Sequence, residues 1–333
     1  MKKLNFPRLA QAFLLAFLMC FLLVSQVKAE AEVLGVHVLH PHEIDQANEL
    51  VADESSEKWH YLTIPFSLED LNRKDEWKNF FQQAKEKRII PIVRLVTKFE
   101  NGSWKRPNRR EVTQQISFLS ELEWPTEQKT LIIFNEVNHA SEWGGQVDPE
   151  SYTRVLRFAS QWAHAEDPGF VVLPAAMDLA APNGGSTMEA FNYLESMYKY
   201  DSQIFSYLDA WNSHSYPNPG FSSSPERDTK NSLRGFLHEL AFLREKTGRD
   251  FKVYITETGW VANGGTVRWL ESYYLYALQH IWNNPQVVAV TPFLLKGDPG
   301  PFAGFGFLDR NDKPTAQYMA LQAALEKLRK GKS

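Results

Sequence analysis

The chain has 333 residues, 43% hydrophobic and 23% charged, which is the profile of a water-soluble globular protein with room for one large domain or two ordinary ones. Its formal net charge is −4 and it carries no long basic run, which argues against nucleic acid as a partner.

The N-terminus reads as an export signal. Lys2, Lys3 and Arg8 give a positive start, residues 9–24 are almost wholly apolar, and Val27-Lys28-Ala29 offers a small-residue cleavage site. The apolar stretch is shorter than the ~20 residues a spanning helix needs. Residues 1–29 are therefore expected to be a cleaved signal peptide and 30–333 the mature domain, secreted or periplasmic, meeting the membrane only in transit. An uncleaved anchor is the alternative. Cleavage would remove four basic and no acidic side chains and take the net charge from −4 to −8. Cys20 lies in this segment, and Phe17-Leu18-Met19 before it lacks the small residue that lipoprotein processing requires, so Cys20 reads as an ordinary apolar residue. A mature chain without cysteine suits a bacterial exported protein large enough to be held by its core alone.

Beyond the signal, short β-rich apolar runs recur at 33–40, 59–66, 88–95, 129–136, 170–176, 208–214, 251–257 and 287–295. Amphipathic stretches lie between them, among them 76–87, 110–122, 149–165, 232–246 and 266–283, and 315–330 supplies a last helix. Alternating strands and helices indicate parallel β/α units, and strands that are nearly continuous in apolar residues indicate burial on both faces. Eight such units in about 295 residues predict a single-domain α/β fold, the (β/α)8 TIM barrel. An open doubly wound sheet would need a glycine-rich loop after an early strand, and none follows 33–40 or 59–66. The Pro/Gly/Ser-rich stretch 216–225 reads as a long loop leaving the sixth strand.

In such a barrel the chemistry sits at the C-terminal strand ends. Those ends carry His40, Phe66, Arg94, Asn135 with Glu136, Asp178, His214 with Tyr216, Glu257, and Lys296 with Asp298. The two strands that end in glutamate stand out, because they suggest paired carboxylates facing one cleft, the machinery that cleaves glycosidic bonds. One carboxyl must hold a proton near neutral pH while the other stays ionised. Aromatic residues make up 13% of the chain, a supply that fits a packed core and a sugar cleft alike.

Asn135-Glu136 on the fourth strand with Glu257 on the seventh resembles the large clan of retaining glycoside hydrolases built on this barrel. His214-Ser215-Tyr216 matches the His-x-Tyr of its cellulase-like family 5 members, and Glu257-Thr258-Gly259-Trp260 looks like the nucleophile segment of several β-glucanase and galactanase families. The resemblance spans residues 33–330, although its motifs occupy short segments. It implies Glu136 as general acid/base, Glu257 as nucleophile, Asn135 on the 2-hydroxyl of the sugar, Tyr216 orienting Glu257, and His214 on the sugar or the same network. Trp143 and Trp260 are candidates for sugar stacking, with core packing as the rival reading for each and for Trp211. Glu142 and Asp148, after the fourth strand, read as solvated.

The sequence also departs from that clan. The arginine that family 5 enzymes carry on an early strand is not evident in residues 61–66, and Arg94 is the substitute on offer. The tryptophan that many members carry at the end of strand eight is replaced by Thr291-Pro292-Phe293-Leu294-Leu295-Lys296. Two other readings compete. A metal-dependent amidohydrolase-like barrel would use His40-x-His42 with His214 and Asp298, but it lacks a histidine after strand five and gives Glu136 and Glu257 no role. A non-catalytic carbohydrate-binding barrel would keep the cleft without turnover. The expectation carried forward is an exported retaining glycosidase acting on a β-linked polysaccharide or oligosaccharide, with carbohydrate as its partner, no cofactor or metal, and an oligomeric state that the sequence leaves open, a monomer being assumed.

Overall fold

A computed structural model of the chain describes residues 31–52, 57–298 and 300–331. The expected signal segment 1–29 lies outside them. Eight parallel strands, β1 (Ala31–His37), β2 (Trp59–Phe66), β3 (Ile89–Leu95), β4 (Lys129–Ile133), β5 (Phe170–Pro174), β6 (Trp211–His214), β7 (Val253–Glu257) and β8 (Val287–Val290), pair in the order β5-β4-β3-β2-β1-β8-β7-β6. The two ends of that order also meet. The Asp209 N–H donates to Val172 O at 3.2 Å, Asn212 Nδ2 donates to Pro174 O at 3.1 Å, and a parallel bridge joins Asp178 to His214. The sheet therefore closes on itself as a (β/α)8 barrel.

Each strand is followed by one helix: α1 (Ile44–Val51), α2 (Lys74–Glu86), α3 (Arg109–Ser120), α4 (Pro149–Glu166), α5 (Ala190–Tyr200), α6 (Gly235–Thr247), α7 (Leu270–His280) and α8 (Ala316–Lys330). Helices α1 and α5 add to the segments expected from sequence. The α5 pattern is plain once seen, because Ala190, Tyr193, Leu194 and Met197 are buried at i, i+3, i+4 and i+7.

The apolar runs are continuous because every strand is buried on both faces. On β3, Ile89, Val93 and Leu95 join the layer beneath the helices, whereas Ile90 and Ile92 join Tyr61, Ile132, Leu173, Tyr254 and Ala289 inside the barrel. One step further along the inner face the interior turns polar. Thr63 Oγ1 meets Thr291 Oγ1 at 2.8 Å, Thr291 Oγ1 donates to Thr256 O at 2.9 Å, and Thr256 Oγ1 donates to Asn212 Oδ1 at 2.6 Å. This ring lies beneath the C-terminal strand ends, so an apolar plug supports a polar floor.

Several strand ends differ from expectation. The first strand stops at His37 rather than His40, because the Glu43 carboxylate accepts from the Leu39 and His40 N–H groups at 2.8 and 3.0 Å and turns the chain into a short 3₁₀ helix, Pro41–Glu43. The fourth strand stops at Ile133 rather than Glu136, where Phe134 adopts a left-handed φ of 70°. A hairpin after β3, pairing Phe99–Glu100 with Ser103–Trp104, is also new. Its Asn101-Gly102 turn has φ of 53° and 79°, as a two-residue type I′ turn requires, and Asn-Gly is the usual sequence for it.

Tyr152 of α4 pins the end of β4 to the residue after β5. Its hydroxyl donates to Ile133 O at 3.0 Å and accepts from the Ala175 N–H at 2.6 Å. Tyr152→Phe strands two buried backbone groups and should cost about 1–3 kcal/mol in urea unfolding. An unchanged midpoint would mean those groups find other partners.

Candidate active site

The segment after β4 leaves the strand sharply. The Phe134 N–H donates to Ile132 O at 3.2 Å, and both Phe134 and Glu136 sit at positive φ, 70° and 29°. Such backbone is costly for residues with a Cβ and concentrates at functional sites. It brings Asn135 and Glu136, both half-buried, to the rim of the barrel. Among the described residues, the hydrogen-bond partner of the Glu136 carboxyl is His214 of β6, whose Nδ1 lies 2.8 Å from Oε1.

Glu257 closes β7 with its side chain only 10% exposed. Arg94 Nη1 donates to Glu257 Oε1 at 2.5 Å and to Asn135 Oδ1 at 2.8 Å. The Tyr216 hydroxyl donates to Glu257 Oε2 at 3.2 Å, and His214 Nδ1 lies 3.6 Å from the same oxygen. One carboxylate oxygen each from Glu136 and Glu257, with a ring nitrogen of His214, lie within 4.8 Å of one another. Arg94, Asn135, Glu136, His214, Tyr216 and Glu257 thus form one cluster.

The electrostatics fix the charge of Glu257. Burial alone would raise the Glu257 pKa, but the charges of His214 and Arg94 and the Arg94 hydrogen bond outweigh it and bring the carboxyl down to about 2. Burial likewise works to lower His214, and here Glu257 and Glu136 prevail and raise it. Glu257 is therefore an anion at neutral pH, fixed from three sides.

The structure adds residues that the strand-end reading missed. His37 of β1 is fully buried, its Nδ1 donates to Thr256 O at 3.2 Å, and it lies 3.8 Å from Glu257 Oε1. Burial and the nearby Arg94 push its pKa down to about 3, so it is a neutral imidazole. The available signal was parity: Leu34, Val36 and Val38 face the helices, which puts His37 inside with Gly35. A Cβ on Gly35 would come within 2.0 Å of Tyr61 O, so glycine is what lets β1 approach β2 here. Phe293, which stands in the segment where a tryptophan was looked for, packs edge-on against His37 at 5.2 Å. His139 Nε2 and Asp178 Oδ2 pair at 2.9 Å between the loops after β4 and β5.

Glu142 is not solvated as expected. It is half-buried, Asn135 Nδ2 donates to its Oε2 at 3.3 Å, and burial with the neighbouring Glu136 charge pushes its pKa up to about 7. Asp148 instead caps α4, accepting from the Ser151 N–H at 3.0 Å, and pairs with Arg106 at 3.0 Å.

Two aromatic expectations are corrected. Trp143 is 1% exposed, packed between Phe134 and Tyr152 with its indole N–H on Ser151 Oγ at 2.8 Å. Trp260 is fully buried against Tyr273, Tyr274 and Trp282 with its N–H on Ser223 O at 2.8 Å. Neither offers a ring face to a ligand, and Trp211 is core as well. Two exposed aromatic rings pack on residues next to the cluster: Phe302 meets Phe293 edge-on at 5.2 Å, and Phe221 meets Tyr216 at 5.0 Å.

His40 and His42 stack on each other at an exposed turn and stand outside the cluster. Lys296 turns to Asp312, 2.6 Å away. Among the described residues, Glu136, His214 and Glu257 are the group whose spacing could suit a cation, but the permanent charge of Arg94 already occupies Glu257 Oε1 and opposes one.

No family model matches the chain, and no curated protein matches it in sequence. Solved structures do match in fold. A family 39 glycoside hydrolase from the gut symbiont Bacteroides cellulosilyticus WH2 aligns with a TM-score of 0.60 at 15% identity, covering 90% of this chain and 64% of that one. GH5_18 from Streptomyces cattleya, in complex with GlcNAc, aligns with a TM-score of 0.61 at 14% identity, covering 91% and 81%. XacCel5A, in complex with cellopentaose, gives 0.53 at 12% identity, covering 88% and 99%. At these identities the likeness is one of fold, and the shared fold is the (β/α)8 barrel.

The Glu257 environment has a consequence for stability. A carboxyl whose pKa falls from 4.5 to about 2 on folding contributes stability that is fully present above about 4.5 and lost as pH falls toward about 2. Glu257→Gln should therefore unfold more easily than wild type at about pH 6, with the gap narrowing on acidification, as read by urea titrations across that window. A gap that stays constant with pH would contradict the depressed pKa.

Proposed function

We propose that the protein is an exported glycoside hydrolase that cleaves O-glycosidic bonds of a β-linked polysaccharide or oligosaccharide by double displacement, with retention at the anomeric carbon. The observation that carries this reading is the pair of carboxyls that face each other at the barrel rim. Glu257 is held ionised by Arg94, and a Glu136 oxygen lies within 4.8 Å of it. Retaining enzymes hold their two carboxyls about 5–5.5 Å apart, whereas inverting enzymes leave ~6.5–9.5 Å for a water. The spacing here favours direct attack by a side chain.

In the first step a Glu257 oxygen attacks the anomeric carbon as the bond from that carbon to the leaving oxygen breaks, and Glu136 gives the leaving oxygen a proton. The product is a glycosyl ester on Glu257. In the second step Glu136, now a carboxylate, takes a proton from a water that attacks the same carbon, and the ester bond breaks to release Glu257 and the sugar. Arg94 and Tyr216 hold Glu257 at its two oxygens, so the nucleophile keeps one orientation. His214 bonds Glu136 and lies within 4 Å of Glu257, so its Nδ1–H faces the carboxylate that each step generates. Phe293 beside His37, with the exposed faces of Phe302 and Phe221 nearby, supplies an apolar surface for sugar rings. The leading segment 1–29 supports export, since a polysaccharide would be met outside the cell.

The function is tested by screening the purified protein on β-glucans, mannans, xylans and galactans. On the substrate that responds, Glu136→Ala should slow turnover by roughly 10²–10⁴-fold. Glu257→Ala should abolish it, with partial recovery in azide, and the first product seen by proton NMR should keep the β configuration. Wild-type-like activity in Glu257→Ala, or an inverted first product, would sink the assignment.

A further inference from the structure

A continuous hydrogen-bond chain runs across the floor of the site. The Glu142 carboxylate accepts from Asn135 Nδ2 at 3.3 Å, Asn135 Oδ1 accepts from Arg94 Nη1 at 2.8 Å, and the same Nη1 donates to Glu257 Oε1 at 2.5 Å. Arg94 can only donate and an ionised Glu142 can only accept, so the two contacts select the same orientation of the Asn135 amide. Reversing the amide would set its N–H₂ against the guanidinium and its oxygen against the carboxylate. Arg94 fixes which end is oxygen, and Glu142 fixes the rotation of the amide plane. One Asn135 N–H then has no partner among the described residues.

We propose that Glu142 is a positioning residue that locks the Asn135 amide so that its remaining N–H faces the 2-hydroxyl of the sugar under attack. This rests on the glycosidase reading for the identity of the ligand group, while the lock itself is a property of the fold. Glu142 ends the 3₁₀ turn Ala140–Glu142, and it lines one small cavity with Thr97, Trp104, Lys105 and Asn135. The Gly144 N–H donates to Trp104 O at 2.8 Å, so the Asn101-Gly102 hairpin clamps the loop that presents the carboxyl. The groups facing Glu142 are Glu136 and His139 on its own loop, Arg94 from β3, Glu257 from β7 and Lys105 from the hairpin, the last with its ammonium on Glu111 at 2.8 Å. With its pKa pushed up to about 7, Glu142 is a full anion and a strong acceptor above that pH and a weaker one below it.

The lock is tested first without turnover. In protein labelled with ¹⁵N-asparagine, the Asn135 side-chain amide, assigned by its loss in Asn135→Ala, should shift with a midpoint near pH 7 in wild type and stay flat in Glu142→Gln. His139 and His214 are unchanged in the variant, so the step that disappears in Glu142→Gln belongs to Glu142. A titration that survives in Glu142→Gln, or none in wild type, overturns the proposal. Kinetics then test the direction of the free N–H. Glu142→Ala should lower kcat by roughly tenfold on a glycoside bearing the 2-hydroxyl, leave the rate on the matching 2-deoxy glycoside unchanged, and be largely rescued by Glu142→Gln, whose amide oxygen still accepts. Equal losses on both substrates would show a packing role and overturn it as well. A wild type without turnover on any glycoside refutes the functional reading instead, and the amide resonance still decides whether Glu142 holds Asn135.

Discussion

One guanidinium nitrogen holds the site together. Arg94 Nη1 donates at once to Asn135 at the end of β4 and to Glu257 at the end of β7, strands on opposite sides of β1 in the sheet order. Both members of the ion pair are nearly buried, with side chains 11% and 10% exposed. An arrangement of this kind brings little net stability, because desolvating two charges costs about what their attraction returns, yet removing one partner typically costs about 3–5 kcal/mol. Its effect is specificity. It fixes Glu257 as an anion and sets which end of the Asn135 amide faces inward.

The barrel makes that fork affordable. Its interior changes from Ile90, Ile92 and Tyr254 to Thr63, Asn212, Thr256 and Thr291 within one inward-facing step, and the threonines bond one another and the backbone. A charge placed above this layer meets dipoles rather than hydrocarbon. Closure of the sheet at Asp209, Asn212 and Asp178 then forces the strand ends into a ring, so that residues far apart in sequence, His37 and Glu257 among them, come within 4 Å. The left-handed backbone at Phe134 and Glu136 turns the second carboxyl into the same ring.

The parts of this arrangement written in local pattern were legible in the sequence. Continuous apolar runs announced the doubly covered strands, and the acids at their ends announced the polar cluster at the C-terminal rim. The cluster of Arg94, Asn135, Glu136, His214, Tyr216 and Glu257 came together from strand counting. Parts decided by long-range packing were not legible. Trp143 and Trp260 sit next to strand ends, and packing against Phe134 and Tyr152 for the one and Tyr273, Tyr274 and Trp282 for the other makes them core, with Ser151 and Ser223 satisfying their N–H groups. Glu142 looked like a loop acid until Asn135 gave it a donor and the loop folded over it. His37 was hidden by a different error. Glu43 turns the chain three residues early, so the inward position at the end of β1 belongs to His37 rather than to His40.

The central claim is that Glu257 becomes covalently bonded to the sugar, and trapping tests it most directly. A 2-deoxy-2-fluoro glycosyl fluoride of the sugar the enzyme accepts slows the second step more than the first, so the ester accumulates. Peptide mass spectrometry of the inactivated protein should then find one added fluorosugar on Glu257. A label on any other residue, or continued turnover of normal substrate with no label at all, would contradict the account.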